Sequence, residues 1–164
     1  MQIPDGTEIT LPKDTTVIVQ QCLGGSYTVT TELGMMVRVE GKDGEAIGQK
    51  AIEPIKIKEG ATVEEQVWEH LKTVFDPEIP INVVELGLIY ECKISPLDNG
   101  EHTIAIKMTL TAPGCGMGQV IADDVKRRLE TIKKVKEVNV ELTFDPPWDR
   151  SMMSDAAKLQ LGLL

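Results

Sequence analysis

The clearest structural signal in the chain is the stretch Thr103-Ile104-Ala105-Ile106-Lys107-Met108-Thr109-Leu110. Large apolar side chains occupy every second position, and small or polar ones stand between them. This period of two is typical of a β-strand with one buried face and one polar face. The stretch therefore predicts a central strand that packs its apolar face on the core.

Two further strands with the same alternation flank this one in sequence. Apolar residues recur at every second position from Leu88 through Tyr90 and Cys92 to Ile94, and again from Val138 to Phe144. The turn sequence Asp98-Asn99-Gly100 is typical of a hairpin between the first two strands. We expect a small, mainly antiparallel three-stranded sheet.

Two helical patterns complete the order helix, strand, strand, helix, strand. The sequence Thr62-Val63-Glu64-Glu65 is a capping box, and the apolar spacing after it predicts a helix over 63–75. An apolar stripe predicts a second helix over 117–133, and the tail over 151–161 suggests a short last one. The expected fold class is α+β, with helices on one face of the sheet.

The first 59 residues show short alternating runs and no helical period. Strands are predicted at Thr7–Leu11, Thr16–Gln20, Tyr27–Thr30 and Met35–Val39, with Gly24-Gly25 as one of the turns. We therefore divide the chain into a small all-β N-terminal unit over 1–59 and an α+β core domain over 60–164.

The charge of the chain excludes some classes of partner. Lys and Arg number 17 against 26 Asp and Glu, which gives a net charge of −9. Phosphate backbones repel such a surface, so we expect no nucleic-acid partner. The sequence has neither a signal peptide nor an apolar run long enough to span a bilayer, which predicts a cytoplasmic protein without a membrane partner.

The segment most suggestive of chemistry is Thr111-Ala112-Pro113-Gly114-Cys115-Gly116-Met117-Gly118. It places a single cysteine among three glycines just before a predicted helix. Free N–H groups and the positive pole of a helix start stabilise a thiolate, the form that binds metals. The alternative is a tight turn in which the cysteine is only a small side chain.

A second group of polar residues lies in Asp76-Pro77-Glu78-Ile79-Pro80-Ile81-Asn82, with Glu85 just beyond. Prolines stiffen this loop, and its carboxylates are suited to complete an iron or zinc shell begun by Cys115. Asp76 and Glu78 have a plainer alternative as helix-end or solvent-facing residues. Glu85 has one as the partner of Asn82 in a capping box.

The remaining candidates have mainly structural interpretations. Cys92 lies on an apolar strand face and is predicted to be an inert, buried thiol. Cys22 is either a second thiol near the site or an incidental strand residue, and His70 and His102 are expected at the surface. Trp148 either packs over the cysteine loop or anchors the tail to the core.

Three long motifs, taken together, resemble the SufT family. They are the stretch from Asp76 to Tyr90, the stretch Thr109-Leu110-Thr111-Ala112-Pro113-Gly114-Cys115, and Phe144-Asp145-Pro146-Pro147-Trp148. The core domain of that family is shared with PaaD of phenylacetate breakdown and with a eukaryotic cytosolic iron–sulfur assembly component. The resemblance covers about 62–164, and the glycine-containing turns of the first unit extend it toward the N-terminus.

The resemblance implies a fold like the C-terminal domain of NifU and an auxiliary role in iron–sulfur protein maturation. By position, Cys115 would be the functional cysteine, and Asp76, Glu78 and Glu85 the acidic residues of the cofactor site. We expect iron or an iron–sulfur cluster to be held transiently, with Cys115 and Asp76 as metal ligands. The expected partners are iron–sulfur assembly components and client apo-proteins, and a homodimer is an open alternative.

The expected function is that of a carrier or targeting factor and not of an enzyme. One chain offers too few thiolates to hold a cluster alone, so a second chain or a client would supply further ligands. The first alternative is a metal-free adaptor that docks assembly machinery onto clients. A weaker alternative is a cysteine-dependent enzyme, for which the sequence has no recognisable base motif.

Overall fold

The computed structural model describes residues 2–3, 7–53, 55–76, 79–112 and 118–163. The contacts divide the chain into two compact units, Met1–Lys56 and Ile57–Leu164. Each has its own apolar core. No helix in the described part of the chain has the length and apolar character that crossing a membrane requires.

The first unit is a four-stranded antiparallel sheet. Its strands are β1 (Gln2–Ile3), β2 (Val17–Leu23), β3 (Ser26–Thr31) and β4 (Met36–Glu40), in the spatial order β1-β4-β3-β2. A 3-10 helix over Gly41–Ile47 follows β4. The predicted turn at Gly24-Gly25 joins β2 to β3, and both glycines have the positive φ that tight hairpins need (58° and 76°).

One predicted strand of this unit is wrong. Residues 7–11 are irregular, and the short β1 occupies the sheet edge beside β4. Ile9 and Leu11 nevertheless pack against the small core of Tyr27, Val29 and Val37. Their alternation reflects burial of two side chains without strand pairing, which a pattern of apolar residues does not distinguish.

The second unit has the predicted order of elements. Its elements are α1 (Val63–Leu71), β5 (Ile89–Pro96), β6 (His102–Met108), α2 (Gly118–Glu130), β7 (Val135–Leu142), a 3-10 turn (Arg150–Met152) and α3 (Asp155–Gln160). The sheet order is β5-β6-β7. The predicted α+β class, a small sheet with packed helices after an all-β unit, is confirmed.

The pairing of the last strand adds a detail that the sequence pattern does not contain. β5 and β6 are antiparallel, whereas β6 and β7 are parallel. The chain leaves β6, passes through α2 and returns to the start of β7, and α2 packs against β7. Such a helical crossover is what a parallel pair requires.

The core sheet also contains a bulge at Tyr90. Ile89 pairs with Met108 and Glu91 pairs with Lys107, so Tyr90 is the extra residue on its strand. This bulge breaks the predicted alternation at Tyr90, whose hydroxyl donates to the carbonyl oxygen of Pro146 at 2.8 Å. A bulge of this kind redirects a side chain without ending the strand.

The first helix begins as predicted and ends early. Thr62 Oγ1 accepts from the Glu65 amide at 3.2 Å, and the Thr62 amide donates to the Glu65 carboxylate at 2.8 Å, which is a complete capping box. The helix ends at Leu71 instead of residue 75. The Thr73 hydroxyl donates to the His70 carbonyl at 2.6 Å, which satisfies one free acceptor of the helix end.

Candidate functional site

The structure describes two of the four site residues predicted from the sequence. Cys115 lies in the segment 113–117 and Glu78 in the segment 77–78, both outside the described residues. Asp76 and Glu85 are described. The surroundings of the two motifs are therefore defined by the described residues on either side of these segments.

Asp76 is a buried carboxylate, with 5% of its surface exposed. It directly follows Phe75, which bridges to Asn82, and the amide of Val83 donates to the Val74 carbonyl at 2.9 Å. The solvent-facing alternative for Asp76 is therefore wrong. Burying a charge is costly unless the charge is compensated, and Asp76 does make interactions within the chain.

The acidic motif continues into one helical turn, as the sequence predicts. Asn82 Oδ1 accepts from the amides of Val84 at 3.0 Å and Glu85 at 2.9 Å. The turn ends at Gly87, whose φ of +71° is the left-handed conformation of a helix C-terminus. The backbone on both sides of Glu85 is thus fixed by local bonds.

The Glu85 carboxylate is engaged by a residue far away in sequence. The Ser154 hydroxyl donates to Glu85 Oε2, and the Ser154 amide donates to the Glu85 carbonyl at 2.9 Å. Ser154 is also the N-cap of α3, because its hydroxyl accepts from the Ala157 amide at 3.1 Å. The sequence indicates the cap through Ser154-Asp155, but not its partner 69 residues away.

Trp148 anchors the C-terminal segment to the same turn. Its indole Nε1 donates to the Leu86 carbonyl at 2.8 Å. The Met152 carbonyl lies so close to Gly87 that a Cβ at that position would overlap it. The C-terminal segment therefore packs directly on the turn of the acidic motif, as the anchoring interpretation of Trp148 predicts.

A cavity of about 340 Å³ lies beside both predicted motifs. Ile79 and Pro80, which directly follow Glu78, border it on one side, and Thr111, two residues before Pro113, borders it as well. The rest of its described lining comes from the C-terminal segment: Trp148, Arg150, Met153, Leu161 and Leu163. Within this segment the sequence singles out Trp148, which either packs over the cysteine loop or anchors the tail, and its pattern does not indicate the other four residues.

The residues that flank the cysteine segment pack together, with Leu110 against Gly118. A Cβ on Gly118 would overlap the side chain of Leu110, so the first residue of α2 packs tightly on the end of the central strand. Next to it, Thr109 is completely buried, and its hydroxyl has no hydrogen-bond partner among the described residues. Leu110 and Gly118, which flank the undescribed residues 113–117 in sequence, therefore pack against each other in the core.

A polar network joins α2 to the end of α1, before the acidic motif. Arg128 Nε lies 3.1 Å from the carboxylate of the buried Asp124, and Arg128 NH1 donates to the Thr73 hydroxyl at 3.1 Å. Partial burial, and then the Arg128 charge, lower the pKa of His70. His70 is thus not the freely solvated residue that the sequence suggests, because its side chain is half-buried.

The other two cysteines lie on strands, one in each unit. Burial, and then the Glu64 carboxylate, raise the pKa of Cys92 to about 11, so its thiol is neutral at physiological pH. Cys22 is an exposed residue of β2 in the first unit. Outside the segments that the structure leaves undescribed, no three His, Cys, Asp or Glu side chains gather at metal-binding distance.

Comparison with known proteins identifies the family. A model of the family described as iron–sulfur cluster assembly protein matches residues 64–142, within the second unit. An Fe–S protein maturation auxiliary factor of Porphyromonas gingivalis is 45% identical over 101 residues, which cover 62% of this chain and 92% of that protein. The chain belongs to the iron–sulfur cluster assembly protein family.

Two further comparisons support the membership in the iron–sulfur cluster assembly protein family and the fold of the second unit. The Fe–S protein maturation auxiliary factor SufT of Staphylococcus aureus is 40% identical over 90 residues, covering 55% of this chain and 98% of the relative. This confirms the resemblance of the core domain to SufT, whereas the extension of the resemblance toward the N-terminus stays a prediction. A crystal structure of a domain of unknown function from Bacillus anthracis is 36% identical and has a TM-score of 0.54, covering 62% of this chain and 93% of that one.

Proposed function

We propose that the chain is an auxiliary factor in iron–sulfur protein maturation that acts in the cytoplasm as a carrier. The 45% identity to a relative of that name, over 92% of the relative's length, is the observation that carries this proposal. Iron or a cluster is the cargo in this account. The chain receives it from assembly components and passes it to client apo-proteins.

The proposed ligands are the Cys115 thiolate with Asp76 and Glu78. Asp76 is buried within the acidic motif, and the cavity is bordered by residues adjacent in sequence to both motifs. A thiolate with carboxylate oxygens is a mixed ligand set that suits Fe(II). A cluster takes about four protein ligands, so a client or a second copy of the chain completes the shell.

Labile binding fits a carrier better than a resident cofactor. A site that is complete only together with a partner binds its cargo weakly alone and releases it when the partner's ligands replace its own. No turnover chemistry is needed for this exchange. We therefore propose a carrier and not an enzyme.

Anaerobic reconstitution with ferrous iron and sulfide tests the carrier proposal. The wild-type protein, mixed with an apo-ferredoxin, should speed the appearance of holo-ferredoxin absorption, and Cys115→Ser should not. Cys92→Ser is the matched control and should behave as wild type, because Cys92 is a strand thiol with a raised pKa. Equal transfer by wild type and Cys115→Ser would contradict the proposal.

A second function, a metal-free adaptor for clients, is favoured by the walls of the cavity. Its described lining is mostly apolar, with Arg150 as the cation, and two of its apolar residues, Leu161 and Leu163, are exposed. Exposed apolar side chains are typical of protein-docking surfaces. Arg150→Glu should weaken capture of a client by about tenfold, a loss of about 1.4 kcal/mol, while iron binding stays unchanged; unchanged capture would remove the adaptor function.

A further inference from the structure

We propose that Glu85 is a positioning residue and not a ligand of the cargo. Its carboxylate binds the Ser154 hydroxyl and so holds the C-terminal helix α3 beside the cavity, and we call this contact between Glu85 and Ser154 the latch. This assignment departs from the role that resemblance to the family implies for Glu85. It rests on the bonds that Glu85 makes within the chain. Its link to delivery, but not the latch itself, rests on the proposed function.

The first step is the geometry of the Ser154 hydroxyl. A serine hydroxyl has one proton and two lone pairs. The proton goes to Glu85 Oε2, and a lone pair accepts from the Ala157 amide at 3.1 Å. The same oxygen therefore caps α3 and ties that cap to Glu85.

The second step is that Glu85 is itself held in place. Its amide donates to Asn82 Oδ1 at 2.9 Å, and its carbonyl accepts from the Ser154 amide at 2.9 Å. Two backbone bonds and one carboxylate bond thus meet at one residue. A bond to a charged acceptor is stronger than one between neutral groups, so the carboxylate is well suited to hold a helix cap.

The third step is where the latched helix lies. Ser154 fixes the start of α3, and near its end Gln160 Nε2 donates to the Pro80 carbonyl at 3.2 Å. Both ends of α3 are therefore attached to the acidic motif, at Glu85 and at Pro80. Met153 and Leu161, the residues just outside the cap and the last turn, line the same cavity as Ile79.

The bond between Glu85 and Ser154 therefore holds α3, with the cavity-lining residues at its two ends, against the acidic motif. If Glu85 turned toward a metal, the Ser154 hydroxyl would lose its acceptor and the α3 cap would weaken. Loss of an N-cap or of a bond to a charged group destabilises the attached element. Glu85 therefore acts through α3, and the cavity wall depends on it.

Four substitutions in the full-length chain separate a latch from a ligand. Glu85→Gln keeps an oxygen that can accept from Ser154 but removes the charge that iron requires, and Glu85→Ala removes both. Ser154→Ala removes the hydroxyl's bonds to Glu85 and to the Ala157 amide, keeps the backbone bond between residues 154 and 85, and leaves the Glu85 carboxylate free to ligate. Ser154→Thr retains the hydroxyl and serves as the conservative rescue.

Amide hydrogen exchange over 155–161 is the first readout. Glu85→Ala and Ser154→Ala should each speed exchange there about tenfold, whereas Glu85→Gln and Ser154→Thr should stay within about twofold of wild type. The control region is β6, where all four variants should match wild type. If Ser154→Ala leaves exchange in α3 unchanged, there is no latch.

Maturation of a client enzyme in a strain lacking the chain is the second readout. A latch predicts that Glu85→Gln supports maturation and that Ser154→Ala impairs it. The reverse ranking, with Glu85→Gln inactive and Ser154→Ala active, would make Glu85 a ligand and overturn the proposal. If Cys115→Ser still supports maturation, the proposed function fails, while the exchange data still decide the latch.

Discussion

The environment of Cys92 in the core unit keeps its thiol in the unreactive, protonated form. The residue pairs with Ile106 across β5 and β6 and packs against the apolar core. Burial and the nearby Glu64 carboxylate raise its pKa to about 11. The residue is thus held in its neutral form, which neither binds metal nor attacks an electrophile.

This shift predicts a pH dependence of stability. Because the pKa of Cys92 rises from 9.0 in the unfolded chain to about 11 in the fold, the folded state binds the proton more tightly. The contribution of the protonated Cys92 thiol to the free energy of unfolding is complete below about pH 9 and is lost as the pH rises toward 11. Urea unfolding at pH 8 and pH 10.5 should show a larger loss for wild type than for Cys92→Ala; an equal loss in both would contradict the burial of this thiol.

Asp76 and Glu85 show what residue patterns can and cannot predict about the site. The spacing of prolines and carboxylates marks the acidic motif as a candidate, and the structure adds that Asp76 is buried. The partner of Glu85 could not be predicted, because Ser154 stands 69 residues away and their contact depends on the path of the whole chain. Local patterns carry no information on such a pair.

At the scale of elements, the sheet is the part best predicted by the sequence. Burial of every second side chain leaves a visible period, so β6 and the helix starts at Thr62 and near Gly118 follow from the pattern. The parallel pairing of β7 does not, because alternation is the same in both strand directions. The prediction of a strand over 7–11 is wrong for a related reason, because burial of side chains without strand pairing produces the same alternation.

The turn at Gly87 is the element on which the C-terminal segment rests, and it yields a second prediction. Alanine there would adopt a φ of +71° and place its Cβ on the Met152 carbonyl. We expect Gly87→Ala to lower the free energy of unfolding by about 2 kcal/mol or more. Urea denaturation measures this loss.

Gly100 is the matched control for that substitution. Its φ is +79°, but a Cβ there meets nothing within 4 Å. Gly100→Ala should therefore lower the free energy of unfolding only by the cost of a left-handed backbone conformation for alanine, about 1 kcal/mol. Equal losses for Gly87→Ala and Gly100→Ala would show that the close approach of Met152 contributes nothing to stability.

At the scale of the whole molecule, the two units have separate cores. The core of the second unit includes Leu71, Leu88, Ile106 and Leu129, all fully or almost fully buried. The family model also lies wholly within that unit. We propose that the second unit is a domain that folds without the first.

A fragment comprising 57–164 tests this proposal. It should unfold in one cooperative transition, with a midpoint in urea close to one of the transitions of the full chain, because its core is complete. Circular dichroism and tryptophan fluorescence suit the experiment, since Trp68 and Trp148 both lie in the fragment. A fragment without a cooperative transition would show that the first unit is required for folding.

The central claim is that delivery depends on the thiol of Cys115. It is tested most directly by the activity of an iron–sulfur enzyme in a deletion strain that carries wild type, Cys115→Ser or Cys92→Ser under iron limitation. Wild type and Cys92→Ser should restore the enzyme's activity, and Cys115→Ser should not at equal protein level. Full restoration by Cys115→Ser would contradict it.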